Sequence, residues 1–274
     1  GYRAHRVLYV FLNKGADRWA RVEVPIRALD GMETGDIDRD GDPDVVLNGY
    51  WLETPADPER DAWVEHIIDP KWFSANTPNW RDNNSKVEVG DFNRDGLLDV
   101  LISSAEDKGY PVSWYEAPAD PRSGKWKEHV IARIDYCHSL RAADFDNDGD
   151  LDVVAAELPS YDAPYPVTLF LNRGDGLQWT AQQLSDLGSY SIAIGDLGND
   201  GDIDVVGSRS FNRGPLEIWE NRVADHKLSL DRFTYIAADE SRTRRPDKKA
   251  GPGWWFGLAM GDMTGDGYAD IVSG

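Results

Sequence analysis

Five stretches of the chain share one pattern of hydrophobic and polar positions: an alternating run, a polar loop and then an aliphatic pair. In the second stretch, Val87 and Val89 alternate with polar residues before the loop, and Val100-Leu101 follows it. Alternation with period two and short β-branched or aliphatic pairs are typical of strands. Each stretch therefore predicts two strands joined by the polar loop.

Two further strands are predicted in each repeat by aromatic residues. The third strand carries one of Trp51, Trp114, Phe170 and Trp219. The fourth strand begins at Trp63, Trp126, Trp179 or Phe233. Four strands per repeat, arranged around an axis, predict the blade of a β-propeller.

The spacing of the repeats predicts one propeller domain over residues 1–274. The first Asp of the loop is Asp36, Asp91, Asp144, Asp196 and Asp262, at intervals of 55, 53, 52 and 66 residues, which indicates a repeat architecture. The N-terminal segment Arg6–Pro25, with Phe11 and Trp19, supplies a third and a fourth strand that the last repeat lacks. We therefore expect an all-β fold, a five-bladed β-propeller of four-stranded antiparallel blades whose last blade is closed by both termini; the alternative is a fragment of a larger propeller.

The expected blade boundaries follow from the same repeat. They are about 30–69, 84–133, 137–186 and 189–239 for blades one to four, and about 254–274 with 1–25 for the inner and outer strands of blade five.

The polar loops follow the pattern D-x-[D/N]-x-D-G-x-x-D, with two relaxed copies. Side-chain oxygens at positions 1, 3, 5 and 9, a main-chain carbonyl at position 7 and Gly at position 6 suit a hard cation such as Ca²⁺. Position 12 is never Glu, which disfavours a helical EF-hand, and the alternative is a set of Asp-Gly turns without metal. The predicted ligands of up to five Ca²⁺ are Asp36, Asp38, Asp40, Asp42 and Asp44; Asp91, Asn93, Asp95, Leu97 and Asp99; Asp144, Asp146, Asp148, Asp150 and Asp152; Asp196, Asp200, Asp202 and Asp204; and Asp262, Thr264, Asp266, Tyr268 and Asp270.

Charge narrows the possible partners and the compartment. The chain has 49 acidic against 29 basic residues, which argues against nucleic acid or an anionic membrane as the main partner. No apolar run approaches a membrane span. Cys137 is the single cysteine, so cysteine usage leaves the compartment open.

Calcium loops fill best at extracellular calcium levels, so we expect a secreted, extracellular or periplasmic protein. Loops four and five lack a carboxylate at position 3 (Gly198 and Thr264) and are expected to be the weakest.

The repeats resemble the FG-GAP/VCBS family. The third copy reads His138-Ser-Leu-Arg-Ala-Ala-Asp144-Phe-Asp146-Asn-Asp148-Gly149-Asp-Leu-Asp152-Val-Val. The family includes integrin α-subunit propellers and many secreted bacterial proteins, and the resemblance implies a propeller with calcium loops. The Trp-rich outer strands and the His-Ser-Leu-Arg start of this copy also resemble propellers of sugar-acting eliminases, such as aldos-2-ulose dehydratase and some polysaccharide lyases. Adhesion, lectin-like binding and catalysis all occur in such proteins.

Two long links between blades, Pro70–Asn84 and Glu240–Gly253, predict the walls of a groove on the face opposite the calcium loops. Aromatic residues in or beside these links are candidates for stacking on sugar rings, with loop packing as the alternative; they are Trp72, Trp80, Trp254 and Trp255. The second link also carries cations that suit an anionic glycan, or that simply offset the acidic surface; they are Arg242, Arg244, Arg245, Lys248 and Lys249. Glu157 is a further substrate-binding candidate.

An eliminase needs a base and a cation that neutralises the substrate carboxylate. The candidate catalytic residues are His138 and Tyr190 as base, with Tyr136 nearby, and Arg209 or Arg141 as neutraliser. The alternative for Arg141 is an ion pair within the channel. We therefore expect a carbohydrate ligand, most simply an acidic polysaccharide, that is either bound or cleaved by β-elimination; the alternative is a protein-interaction or adhesion module without catalytic activity.

Overall fold

A computed structural model describes residues 7–27, 31–73, 84–159, 164–209, 216–223, 233–239 and 258–273. Over these residues the fold is all-β, with antiparallel strand pairs and one short 3-10 helix at Pro70–Trp72. None of the helical residues described forms a segment long and apolar enough to cross a membrane.

The strands form four sheets of four strands and two hairpins. The N-terminal hairpin is β1 (Val7–Asn13) and β2 (Trp19–Pro25). The first sheet is β3 (Glu33–Gly35), β4 (Asp44–Leu47), β5 (Tyr50–Glu53) and β6 (Val64–Ile67). The second sheet is β7 (Ser85–Gly90), β8 (Asp99–Ser104), β9 (Pro111–Glu116) and β10 (Lys127–Arg133). The third sheet is β11 (Cys137–Ala143), β12 (Asp152–Glu157), β13 (Val167–Asn172) and β14 (Trp179–Ser185). The fourth sheet is β15 (Ser191–Gly195), β16 (Asp204–Ser208), β17 (Leu216–Asn221) and β18 (Phe233–Asp239). The C-terminal hairpin is β19 (Leu258–Gly261) and β20 (Asp270–Ser273).

Each four-stranded sheet is a simple meander in which neighbours in sequence are neighbours in the sheet. This is the blade arrangement that the alternating runs and aromatic positions predict, and it is confirmed for four of the repeats. The all-β architecture is consistent with a β-propeller.

The chain divides into two compact units. The N-terminal unit comprises residues 1–91 and 95–133, and the C-terminal unit comprises residues 92–94 and 134–274. Each unit has a buried core of its own. In the N-terminal unit Val46, Trp51 and Ile102 belong to one apolar cluster, and in the C-terminal unit Val154 and Trp219 belong to another. Such burial of aliphatic and aromatic side chains is the main favourable term in folding.

The aromatic residue of the third strand occupies two different registers. The aliphatic residue directly after the loop pairs with Leu52 and Tyr115 in the first two sheets, but with Phe170 and Trp219 in the third and fourth. Because side chains alternate between the faces of a strand, Trp51 and Trp114 lie one position out of step with Phe170 and Trp219. The sequence pattern, which treats these four aromatics as equivalent, does not distinguish the two registers.

The shifted register gives the first two sheets a repeated contact. Trp114 lies opposite His129, and the two rings stack with centroids 4.3 Å apart. His129 Nε2 is 2.7 Å from Glu116 Oε2, and the same arrangement joins Trp51, His66 and Glu53. His66 and His129 therefore have a structural role in their sheets.

Candidate metal loops and ligand residues

The five Asp loops share one local fold that depends on the first Asp. In loop one, Asp36 accepts hydrogen bonds from the backbone N–H groups of Asp40 and Gly41 at 3.0 and 3.2 Å. The other four loops repeat both bonds. The glycine at position 6 has φ of +103° in loop one and lies in the left-handed region in every loop. This backbone requirement explains why glycine stands at position 6.

In the four-stranded sheets, the last Asp of the pattern connects the loop to the end of the third strand. Asp152 accepts from the N–H of Phe145 at 2.9 Å and from the N–H of Asn172, at the end of β13, at 2.8 Å. It is fully buried, and burial raises its pKa to about 7. Burial likewise raises the pKa of Asp44 and Asp204 to about 6. A buried carboxylate favours a nearby cation, because a positive charge offsets the cost of removing its own charge from water.

The donor set of the loops fits a calcium ion. Asp36, Asp38 and Asp40 each offer a carboxylate oxygen, and these atoms lie within 4.8 Å of one another; a second such group is Asp144, Asp146 and Asp152. Oxygens bound to one Ca²⁺ at roughly 2.3–2.6 Å can be up to about 5 Å apart, so these separations suit one shared ion. The donors are carboxylates alone, which is the chemistry of a hard cation rather than of zinc.

Within the C-terminal unit, which includes residues 92–94, two side chains at position 4 contact the loop that follows in sequence. Arg94, at position 4 of loop two, forms an ion pair with Asp150, at position 7 of loop three, with Nε and Oδ1 2.5 Å apart. It also donates a hydrogen bond to the carbonyl of Asp148 at 2.8 Å. Asn147, at position 4 of loop three, donates to Asp202, at position 7 of loop four, at 2.8 Å. Asp150 and Asp202 are predicted to offer their main-chain carbonyls to the metal, and in the structure their carboxylates contact position-4 side chains of the preceding loops.

In the N-terminal unit, loop one receives a cation from another blade. Arg122, in the turn between β9 and β10, has its guanidinium 2.6 Å from Asp38 and 3.4 Å from Asp40, and it also contacts Glu53 at 3.1 Å. This arginine was not among the residues predicted from the sequence. Its position in a surface turn carries no pattern that would reveal the contact.

A second feature missing from the sequence prediction is an asparagine brace. Asn221, at the end of β17, is fully buried and donates from Nδ2 to the carbonyls of Phe145 at 2.7 Å and Ile203 at 3.2 Å. Asn172, at the end of β13, makes the equivalent bonds to Phe92 and Leu151. One acceptor belongs to the asparagine's own loop, and the other belongs to the preceding loop. The brace therefore links successive blades beside the candidate metal loops.

The candidate base residues lie together at the opposite ends of the strands. His138, near the start of β11, has its ring 4.1 Å from that of Tyr190, and its Nδ1 lies 2.8 Å from the Tyr190 carbonyl. His138 is only 6% exposed. Glu157 ends β12, and its carbonyl accepts from the N–H of Ser189, directly before Tyr190. The structure thus brings together His138, Tyr190 and Glu157.

The candidate cations are already engaged. Arg209, after β16, is paired with Glu217 at 2.9 Å, and the Glu217 side chain is fully buried. Arg141 donates from Nη1 to the carbonyl of Leu140 at 2.9 Å. Tyr136 adopts a left-handed backbone with φ of +51°, and its carbonyl accepts from the N–H of Leu158. Glu217, which sequence reasoning missed, takes up the charge that Arg209 was expected to offer to a substrate.

Of the candidate stacking residues, only Trp72 lies within the described residues. It is 3% exposed, belongs to the core cluster of the N-terminal unit and donates from Nε1 to the Tyr115 hydroxyl at 2.9 Å. The loop-packing alternative fits this residue, since a covered ring offers no face to a sugar. The remaining candidates lie outside the described residues; they are Trp80, Trp254, Trp255, Arg242, Arg244, Arg245, Lys248 and Lys249.

Comparison with protein families identifies the repeat. Residues 91–155 and 144–207 each match the FG-GAP-like repeat. Each match begins at the first Asp of one loop, extends through the next loop and ends within the strand that follows it. Comparison with curated proteins gives no match.

Proposed function

We propose that this chain, which contains FG-GAP-like repeats, is a calcium-stabilised β-propeller with a binding function. Its proposed ligand is an acidic carbohydrate outside the cell. The observation that carries the calcium part is the shared fold of the five loops, together with the carboxylate oxygens of loops one and three, which lie within 4.8 Å of one another in each loop. Propellers built from such repeats often serve in adhesion or interaction. Binding rather than catalysis is favoured because Arg209, a candidate neutraliser, is already paired with the buried Glu217.

Within this proposal the side-chain oxygens at positions 1, 3, 5 and 9 hold the ion, together with the carbonyl at position 7. When bound, Ca²⁺ supplies positive charge and joins the two strands that flank the loop. Loops one and three carry four carboxylates at these positions, whereas loops four and five have Gly198 and Thr264 at position 3. Loops one and three are therefore proposed to bind calcium more tightly than loops four and five, since affinity rises with the number of charged ligands.

We further propose a single ring of five blades, the fifth formed by both hairpins. The support is a sequence and turn equivalence within the N-terminal hairpin. Asn13 ends β1 as Asn172 ends β13, and in both cases the asparagine Oδ1 accepts from the N–H of the glycine two residues later. Phe11 stands two residues before Asn13, as Phe170 does before Asn172. By this equivalence β1 is the third strand of a blade whose first two strands are β19 and β20.

A second candidate function, β-elimination of an acidic polysaccharide, is favoured by one observation. His138 and Tyr190 lie with their rings 4.1 Å apart beside Glu157. A histidine and a tyrosine in contact are a suitable acid and base pair. Adhesion to a protein partner is the third outcome to be distinguished.

One screen separates these functions. The calcium-loaded protein is incubated with acidic and neutral polysaccharides, binding is measured by retention, and cleavage is measured by ultraviolet absorbance of the unsaturated product. Retention on acidic polysaccharides without product supports the proposed function, and product that disappears in the His138→Gln variant establishes the lyase. Neither retention nor product rejects the carbohydrate ligand and leaves a protein partner. An unfolding curve that does not change in excess chelator, together with no bound calcium by elemental analysis, would reject the metal.

A further inference from the structure

A cavity of about 310 Å³ lies in the N-terminal unit, on the outer strands of the second sheet. Its wall includes Lys71 from the 3-10 helix, Lys108 and Tyr110 from the turn between β8 and β9, and Glu128 and Arg133 from β10. Lys71, the turn between β8 and β9, and Arg133 are at strand ends away from the Asp loops, whereas Glu128 is near the start of β10. The volume is at the small end of ligand sites, so it suits one ring rather than an oligomer.

The charge of this cavity is opposite to that of the chain. Three cations and one carboxylate line it, whereas the chain has a formal charge of −20. The carboxylate of Glu128 already accepts from Lys71 and from the Ser113 hydroxyl. Counted over the residues that line it, the cavity has an excess of positive charge in an acidic surface, although Lys71 is also paired with Asp69 at 3.4 Å. Such a local field favours an anion.

Two of the three cations, Lys71 and Arg133, are placed by contacts with the fold. The 3-10 helix that carries Lys71 is anchored by the buried Trp72, and Lys71 Nζ lies 5.2 Å from the Trp72 ring and 5.4 Å from the Tyr115 ring. Arg133 donates from Nη1 to the carbonyl of Gly109 at 3.0 Å. A guanidinium has five N–H donors, and this bond uses one. Fixed cations bind an oxyanion at a lower entropic cost than mobile ones.

Apolar surface completes the site. Val130 is 51% exposed in the wall of the cavity, and Pro111 and Tyr110 lie beside it. Cations next to a small apolar wall and a carboxylate acceptor match a sugar ring that bears a carboxylate or sulfate group. We infer that this cavity, between the 3-10 helix and β10, binds the anionic group of a uronate or sulfated sugar residue. The class of ligand rests on the proposed function, but the place of the site does not.

The inference is tested by calorimetric titration of the calcium-loaded protein with D-glucuronate at low salt, with D-glucose as the neutral probe. Loss of two of the three cations in Lys108→Gln/Arg133→Gln should weaken glucuronate binding about tenfold or more, since hydrogen bonds to charged groups are the strong ones. Val130→Glu, which adds a carboxylate at an exposed position, should have the same effect by repulsion. Lys127→Gln is the matched control, because Lys127 is on the same strand but pairs with Glu116 at 3.0 Å.

The possible outcomes either support or overturn the inference. Glucuronate binding that fails in both cavity variants but persists in the control supports it. Equal affinity in all variants, no glucuronate binding by the parent protein, or equal binding of glucose overturns it. Retention of acidic polysaccharide by the cavity variants at parental strength overturns the site while the proposed function stands. Glucuronate binding in the cavity without retention of any polysaccharide supports the site and rejects the proposed function.

Discussion

Replacement of Asn221 by alanine tests the brace between successive blades. The side chain is fully buried, and the substitution removes both Nδ2 bonds, to Phe145 at 2.7 Å and to Ile203 at 3.2 Å. The backbone bond from Asn221 to Asp204 stays, because it does not involve the side chain. A buried hydrogen bond is worth about 1 kcal/mol, and an acceptor left without a partner costs about 1–3 kcal/mol, so we expect a loss of about 2–4 kcal/mol in the free energy of unfolding.

Two further substitutions give this experiment its controls. Thr54 occupies the position of Asn221 in the first sheet, and its hydroxyl bonds only to the carbonyl of Pro43, within its own loop, at 2.7 Å. Thr54→Ala therefore removes no bond between blades, and it should lower the free energy of unfolding by only about 1 kcal/mol. Asn13→Ala reports on blade five. If the ring closes as proposed, Asn13 has the role of Asn221, and its loss costs as much; otherwise only the local bond to Gly15 is lost, at a few tenths of a kcal/mol for an exposed group.

The assay is urea unfolding in saturating calcium, with the slope of the transition compared between variants. A loss of about 2–4 kcal/mol corresponds to a melting temperature lower by about 5–15 °C for a chain of this size. A cost below about 1 kcal/mol for Asn221→Ala refutes the brace as a stabilising contact. A cost for Asn13→Ala no larger than that of Thr54→Ala refutes the five-bladed closure and leaves the brace intact.

Four other outcomes follow from the contacts described. Excess chelator should lower the melting temperature by many degrees, because an ion that binds only the folded state stabilises it by mass action, and an unchanged melt contradicts this. Loop five is the most exposed of the loops, so its calcium should be the first that the parent protein releases when chelator is added. Asp270→Asn should abolish this first release step in a chelator titration followed by native mass spectrometry. If the first step persists in the variant, the ranking of the loops is wrong. Hydrogen bonds, first from His129 and then from Lys127, lower the pKa of Glu116. The parent protein should therefore lose stability as pH falls below about 4.5 and through the lowered pKa. In acid-unfolding curves, Glu116→Gln should lose less stability over the same pH range. Gly207→Ala should destabilise the fourth sheet by about 1–3 kcal/mol in urea, because an added Cβ would lie 2.6 Å from the Trp219 ring; no change would mean that the ring can move.

The features that depend on local chemistry could be predicted from the sequence. An Asp at position 1 that accepts two backbone bonds and a glycine with positive φ at position 6 are set within nine residues, so the pattern specifies the loop. Period-two alternation likewise specifies the strands before each loop. The contacts between loops, such as Arg122 with Asp38, depend on which turn of one blade reaches another, and no local pattern carries that information.

The register of the third strand also could not be predicted from the sequence. Trp114 and Trp219 each stand 15 residues after the last Asp of their loops. They nevertheless lie one position apart in the ladder, because the turn that precedes the third strand sets the pairing. The packing of Trp72 could not be predicted from the sequence for a similar reason. An aromatic residue in a link can face solvent or join the core, and its partner Tyr115 is 43 residues away in the sequence.

The distribution of charge around the loops shows where calcium is needed. Loop one receives the guanidinium of Arg122, and loop three receives that of Arg94, so part of their carboxylate charge is offset by the chain itself. The buried last Asp of the loop is different, because its hydrogen bonds come from neutral backbone N–H groups, and burial raises its pKa to about 7 for Asp152. Neutral donors alone do not hold that carboxylate in its usual charged range, whereas a divalent cation beside it would. Folding and calcium binding are therefore expected to be coupled most strongly through the last Asp, which joins the metal loop to the end of the third strand.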